Sequence, residues 1–307
     1  MTATATTCRG NWWRRWGEET LVAYLFLLPS IVVFAAFVFF PLVFSIYASL
    51  TRWNLPYQPS FIGLENYVYL FADEIGAPEF LGSIRNSFYY AVGVPLNIAL
   101  SLCIALLLNQ RLRGVSIFRT AYFLPTITST AAISVVWLWI YHPADYGLFN
   151  SILLKFGLSP LRWLRDPTLA MPALILMGIW HGMGYNIIIF LAGLQNIPGS
   201  LYEAAEIDGA AGWARFWKIT LPLLSPTSFY ILIIGIINSL KAFTQMDVMT
   251  SGGPLGATTT ITYYLYQQAF QNFAMGRASA VACALLTMLF ILTMFQFKVV
   301  GSRIHYE

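Results

Sequence analysis

Charge is what this chain has least of. Asp, Glu, Lys and Arg make up 10% of its 307 residues, against about a quarter in soluble domains. A globule this poor in charge, and 58% hydrophobic, could not cover its surface with polar groups. That excludes a soluble fold. A disordered chain, a coiled coil and a conventional nucleic-acid binder go with it, since each needs charge in quantity. The net charge of +4 is too small to name an anionic partner. Cysteine is scarce too. Cys8, Cys103 and Cys283 lie too far apart for a metal-ligand spacing or a disulfide framework. The histidines His142, His181 and His305 are scattered, so they offer no metal cluster. Lysine occurs only at 155, 218, 241 and 298, never after a glycine. A Walker A loop needs Gly-Lys followed by Ser or Thr to cradle phosphates, so this chain does not hold ATP in that way.

What is present is long apolar runs. A helix crosses the roughly 30 Å hydrocarbon core with about 20 residues. Seven runs of at least that length carry no Asp, Glu, Lys or Arg: 20–51, 86–110, 120–144, 167–202, 219–240, 248–276 and 278–297. The run 248–276 differs, because Ser251-Gly252-Gly253-Pro254, Thr258–Thr260 and several amides interrupt it. Such a break leaves backbone groups unpartnered in lipid. It reads as an external loop with a short helix near Tyr263–Phe270. Six spans remain, at about 22–48, 87–109, 118–141, 169–194, 226–248 and 278–299. The fold expected is an all-α integral membrane protein with six transmembrane helices, one domain over 21–307 behind a cytoplasmic tail at 1–20. Arg14 and Arg15 before the first span suggest a signal peptide. Its apolar stretch is too long and lacks a small-residue cleavage site, so it reads as an uncleaved helix. With the N-terminus inside, the inner segments hold ten of the Lys and Arg residues and the outer loops six. This bias favours both termini in the cytoplasm.

The segment between spans four and five is then cytoplasmic, and residues 198–224 do not read as a simple loop. Pro198 and Gly199 break the preceding helix. Ser200 and Glu203 have capping-box spacing, so a short helix is expected from Ser200. Gly209 can end it in a left-handed cap. A second short piece, Trp213–Ile219, carries Phe216 and Trp217 beside Arg215 and Lys218, and Pro222 should close it. Ala204 and Ala205 would leave one face flat for packing against another surface. The plainer alternative is an interfacial helix anchored in lipid by Trp213 and Trp217.

Glu203-Ala204-Ala205, three residues, Gly209, nine residues, then Ile219-Thr220-Leu221-Pro222 resembles the cytoplasmic signature of permease subunits of binding-protein-dependent ABC importers. Phe61-Ile62-Gly63-Leu64-Glu65-Asn66-Tyr67, Thr250–Pro254 and the C-terminal run Phe295 to Tyr306 resemble stretches of the carbohydrate branch, maltose-type and glycerol-3-phosphate-type. The resemblance implies a type I importer permease fold in a bacterial cytoplasmic (inner) membrane. It implies a second permease subunit as heterodimer partner, two ATP-binding cassette subunits that bind ATP and magnesium, and an extracytoplasmic solute-binding protein. This chain would hold no cofactor, catalyse nothing and bind no nucleic acid. Coupling to the ATPase would fall to Glu203, Ala204, Ala205, Asp208, Gly209, Leu221 and Pro222.

Polar groups inside spans mark function because they are costly there. Span four offers Trp180, His181, Gly182, Tyr185 and Asn186. Span five offers Asn238, Ser239, Lys241, Thr244, Gln245 and Asp247. Sugars are held by aromatic faces together with hydrogen-bonding side chains, and these residues supply both. Gly182 and Tyr185 match a Gly-x-x-Tyr at the sugar site of the maltose-type relative. Plainer roles compete: Asn238 and Ser239 as helix glue, His181 as a packing histidine, Trp137 and Trp139 as interface-belt residues. Lys241, mid-span, needs a partner, on the companion permease or on an anionic substrate such as glycerol-3-phosphate. A phosphate ester would want more cations than this chain shows, which favours a neutral sugar, glycoside or polyol. Three rivals come from other classes. An ion-coupled secondary transporter should show an inverted repeat, and none is visible. A channel should show a repeated pore element. A membrane enzyme should show a catalytic pocket, yet Glu203, Glu206 and Asp208 cluster on a loop.

Overall fold

Backbone groups in lipid must bond within the chain, and helices do most of that here. The computed structural model describes residues 12–110 and 115–299. Cys8, Arg9, Arg111, Arg113, Arg303, His305 and Tyr306 lie outside the described residues, as does most of the expected 1–20 tail. The first span is helical from α1 (Trp12–Phe34) through a wide π turn (Ala35–Phe39) into α2 (Phe40–Ser49). A two-residue hairpin, β1 (Thr51–Arg52) on β2 (Ser60–Phe61), follows. Then come α3 (Glu65–Ala72), α4 (Gly76–Ala91), α5 (Gly93–Leu108), α6 (Val115–Ile127), α7 (Thr130–Ile140) and α8 (Leu148–Lys155). The second half holds α9 (Ala170–Gln195), α10 (Gly199–Ile207), α11 (Gly212–Arg215), a π turn (Phe216–Thr220), α12 (Leu221–Leu223) and α13 (Ser225–Leu240). It ends with α14 (Thr244–Thr250), α15 (Ile261–Tyr266), a third π turn (Gln267–Gln271) and α16 (Met275–Val299).

Among the described residues, four helices are long and apolar enough to cross a membrane: Val22–Ser49, Gly76–Leu108, Ala170–Gln195 and Met275–Val299. Two bent pairs bring the number to six if each pair crosses once. The spans therefore differ from the expected ones in three places. The second starts at Gly76 rather than near residue 87, because its first turns keep Glu79 and Arg85 exposed while Phe80, Ser83 and Asn86 are buried. Asp73 Oδ2 accepts the Gly76 and Ile75 amides at 3.0 and 3.1 Å. Those two bonds hold its carboxyl below the usual carboxylate range.

The third span is not one helix. Thr120–Ile127 and Thr130–Ile140 meet at 110°. Ser129 caps α7, its Oγ accepting the Ala132 amide at 3.3 Å, so a serine that reads as interior starts a new helix. The fifth span stops at Lys241, which is the C-cap of α13 and not a mid-helix residue. The carbonyls freed there, of Leu240 and Ala242, accept bonds from the hydroxyls of Thr262 and Thr260, each at 3.0 Å. The Gly-Gly-Pro loop thus supplies the hydroxyls that let a helix end inside the protein. Its own short helix is α15, two residues earlier than expected.

Among the described residues the core lies in three large clusters and a small one of Met171, Ile175 and Ile179 on α9. One joins α5, α9 and α13 through Leu102, Ile187, Phe190, Leu224 and Ile231. A second gathers Trp137, Tyr141, Leu174, Met177 and Met246. A third packs Leu70, Phe80, Leu240, Tyr264 and Val281. Helix α6 approaches α9 so closely that a Cβ on Gly184 would land on the Tyr122 carbonyl oxygen, a contact only glycine permits.

Between α7 and α9 a loop is knotted around one side chain. Asn150, fully buried, donates Nδ2 to the carbonyls of His142, Pro143 and Leu161 at 3.3, 3.0 and 3.0 Å. Its Oδ1 accepts the Leu161 amide and Trp163 Nε1 at 3.0 and 2.9 Å. Asn150→Ala strands all of these groups, and stranded buried polar groups cost roughly 1–3 kcal/mol each. The purified variant should melt well below the parent in detergent; equal melting temperatures would show that the knot is not structural.

Candidate functional site

A cavity of about 480 Å³ opens among the helices of the second half. Helix α9 contributes Gly178, His181, Gly182, Tyr185 and Asn186, and α13 contributes Tyr230, Asn238 and Ser239. Beyond α13, Lys241, Thr244 and Gln245 reach it, and α4 and α5 add Tyr90 and Asn97. The two sides of the break in the third span supply Thr126 and Thr130. Seven of the eight residues expected on a substrate path therefore meet here: His181, Gly182, Tyr185, Asn238, Ser239, Lys241 and Thr244. Trp180 does not line the cavity; it packs edge-on against Trp137 at 5.7 Å. Asp247 also lies outside the lining.

The polar lining is wired. Asn97 Nδ2 donates to the Ile179 carbonyl at 2.9 Å, and its Oδ1 accepts Ser101 Oγ and Asn186 Nδ2 at 3.0 and 2.8 Å. Gln245 Nε2 donates to Tyr90 Oη at 2.9 Å. His181 Nε2 donates to the Thr128 carbonyl at 3.3 Å, so its ring satisfies the backbone at the break in the third span. Tyr185 and Tyr230 present exposed rings, their hydroxyls 3.5 Å apart. Thr126 Oγ1 is buried without a partner. The Lys241 side chain is exposed and makes no ion pair among the described residues. No Asp or Glu among the described residues lines the cavity. The surface offers rings, amides, hydroxyls and one cation, a set that holds a hydroxyl-rich solute by stacking and hydrogen bonding.

The second candidate region is the segment after α9. Helix α10 starts at Gly199 behind Pro198, whose φ of −58° fits a helix entrance. Ser200 is therefore inside the helix, and the expected capping box does not form. The C-terminal end matches expectation. Gly209 has φ +74°, its amide bonds to the Glu206 carbonyl at 3.0 Å, and the Ala210 amide reaches the Ala205 carbonyl at 2.9 Å. This is a Schellman cap. Ala204 is exposed while Ala205 is buried, so the two alanines do not share one flat face. Pro222 does not close the second piece either. The π turn widens the helix before it, Leu221 N–H bonding to the Phe216 carbonyl, and the helix runs on to Leu223 before bending by 61° into α13. Tyr202 Oη and Thr220 Oγ1 at 2.9 Å join the two pieces, as does Arg215 Nη1 to Glu206 Oε2 at 3.6 Å. Glu203, Ala204, Asp208 and Gly209 remain on the outer face, and Leu221 faces the core.

Residues 2–304 match the profile of a family described as "Binding-protein-dependent transport system inner membrane component". The chain belongs to that family. The permease is 37% identical over 295 residues to the probable ABC transporter permease protein YesP of Bacillus subtilis (strain 168), covering 94% of each chain. It is 34% identical to the arabinooligosaccharides transport system permease protein AraP of the same strain, over 96% of this chain and 93% of that one. It is 35% identical to the sn-glycerol-3-phosphate transport system permease protein UgpA of Brucella abortus biovar 1 (strain 9-941), over 94% and 97%. A bacterial ABC transporter that imports the acidic polysaccharide alginate has a chain of the same fold, with TM-score 0.80, 24% identity and coverage of 94% and 98%. The permease is thus an inner-membrane component of an ABC importer, a non-enzymatic chain whose ATP hydrolysis occurs in separate subunits. The rival readings as secondary transporter, channel and membrane enzyme fall away.

Sequence reasoning missed Tyr90, Asn97, Thr126, Thr130 and Tyr230. Asn97 and Thr126 lie in expected spans, so the rule that polar groups inside spans are functional would have found them if applied to spans two and three. A Cβ on Gly178 would strike Tyr90 Oη. Gly178→Ala should push Tyr90 off Gln245 and lower solute affinity by about tenfold, near 1.4 kcal/mol, with assembly intact. Transport kinetics at unchanged melting temperature measure this, and unchanged kinetics would refute it.

Proposed function

We propose that this permease forms half of the translocation path of an ATP-driven importer for a sugar, glycoside or related polyol. Its second half comes from a companion permease, two ATP-binding cassette subunits bind ATP and magnesium, and an extracytoplasmic binding protein delivers the solute. Both termini lie in the cytoplasm. The observation that carries the reading is the segment 198–224: two short helices locked together by Tyr202–Thr220 and the Schellman cap, with Glu203, Ala204 and Asp208 turned outward. A rigid outward knob suits docking in a cleft of the ATPase, and its bend into α13 leads to Asn238 and Ser239 on the cavity wall. Force received at Glu203 and Asp208 would therefore reach the solute path through one helix. Exposed Trp213 and Trp217, grouped with Phe216, suit the lipid interface beside the knob. The carbohydrate branch is supported by the names of the relatives and by a cavity rich in rings and amides.

The test uses the complete transporter in liposomes. No atom lies within 4 Å of a Cβ at Gly209, yet its φ of +74° strains side chains by about 1–2 kcal/mol. Gly209→Val should insert and assemble but lose solute uptake and the stimulation of ATP hydrolysis by loaded receptor. Gly209→Asn, which tolerates the left-handed region, should keep most of both. A valine variant that imports at the parent rate would overturn the coupling role.

Lys241 favours a second reading, in which the solute carries a negative charge. Lys241→Gln separates the two. Uptake of a neutral sugar should change little, whereas an anionic substrate should show a KM raised by about tenfold.

A further inference from the structure

A second pocket, about 400 Å³, sits at the opposite end of α7 and α14 from the cavity. Its wall includes Arg162, Arg165, Leu138 and Ser251. The two arginines lie one turn apart, with the Arg165 amide bonded to the Arg162 carbonyl at 2.9 Å. Between them Trp163 and Leu164 pack into the core, and Trp163 is pinned to Asn150. With Trp163 anchored, Arg162, Leu164 and Arg165 line the pocket. Neither makes an ion pair among the described residues. The nearest acid in sequence, Asp166, is engaged elsewhere: its Oδ1 accepts the Thr168 hydroxyl and amide at 2.6 and 2.8 Å, which hold its carboxyl below the usual range. His142, also on the wall, has both ring nitrogens occupied, by the Ala144 amide at 3.2 Å and Tyr146 Oη at 2.9 Å. The pocket wall thus carries two arginines that pair with no acidic side chain among the described residues.

We propose that this pocket is a socket for an acidic side chain of the extracytoplasmic solute-binding protein, and that the contact acts on the solute cavity. The proposal rests on the importer reading and on its orientation, which puts the 141–169 loop outside. Guanidinium groups form charge-assisted, often two-pronged bonds with carboxylates, and a concave site admits a side chain projecting from a protein surface. The link to transport is built from two short helices. Helix α7 has Thr130 on the cavity wall and Leu138 on the socket wall. Helix α14 has Thr244 and Gln245 on the cavity wall, and Met249 and Thr250 on the socket wall. They pack together through Ile133, Trp137 and Met246. A carboxylate drawn between the arginines and Ser251 would pull on the outer ends of both rods, and the inner ends carry polar groups of the solute site.

The complete transporter in nanodiscs, with its own receptor and sugar, provides the test. The double variant Arg162→Gln with Arg165→Gln should bind loaded receptor about tenfold more weakly and lose most of the salt dependence of binding. Its ATPase rate without receptor should equal the parent's. Arg162→Lys with Arg165→Lys, which keeps the charge, should retain most of the affinity, and equal melting temperatures would confirm intact folding. If the parent binds receptor and the glutamine variant binds equally well with equal salt dependence, the socket is overturned and the importer reading stands. If the variant instead loses affinity only for anionic lipid vesicles, the arginines read headgroups and the socket is again overturned. If the parent itself neither binds receptor nor responds to it, the importer reading fails first.

Discussion

A peptide group stripped of water needs a partner inside the protein, and three interruptions of the helices here can each be traced to the side chains that meet that need. The break between α6 and α7 leaves the Thr128 carbonyl to His181 and the Ala132 amide to Ser129. The end of α13 leaves carbonyls to Thr260 and Thr262. The Gly-Gly-Pro loop passes two of its carbonyls, of Gly256 and Thr259, to Asn86 at 2.8 and 3.0 Å. These interruptions are also where the cavity opens, since Thr126, Thr130, Lys241 and Thr244 all flank a break. Non-helical backbone at membrane depth is tolerated where protein or a cavity receives it, and the solute path follows from that condition.

Much of this architecture is legible in the chain because hydrocarbon tolerates so little charge. Gaps between charged residues locate the first, fourth and sixth spans closely. They fail where a helix keeps its charges on an exposed face, as Glu79 and Arg85 do on α4. They also fail where an apolar run conceals a break. Nothing in the charge pattern between 118 and 141 separates a straight helix from two pieces at 110°, because the difference lies in one serine cap and in a histidine from another helix.

The candidate site was legible to the same depth. Polar residues in the fourth and fifth spans identified most of the cavity wall on those helices, since each is there at a cost. The direction of Trp180 was not legible, because an aromatic residue has no polar cost to betray it, and its ring packs on Trp137 outside the cavity lining. Around the coupling segment, Gly209 was readable from its spacing after the alanines. The division of Ala204 from Ala205, one out and one in, depends on how α10 rolls onto the Tyr202–Thr220 contact, which only the folded chain reveals.

The wide turn at Phe216–Thr220 gives a geometric meaning to the number of residues between Gly209 and Ile219. A helix advances about 100° per residue, and a π turn absorbs one extra residue without breaking the ladder. Removing a single residue from 216–220 would leave composition and hydropathy nearly untouched. The wide turn would then close to an ordinary α turn and the outward knob would keep its azimuth about α13, whereas removing a second residue, which nothing absorbs, would rotate Glu203 and Asp208 by roughly 100°. The fixed spacing of the motif is in this sense a phase relation between two bodies joined by one shaft.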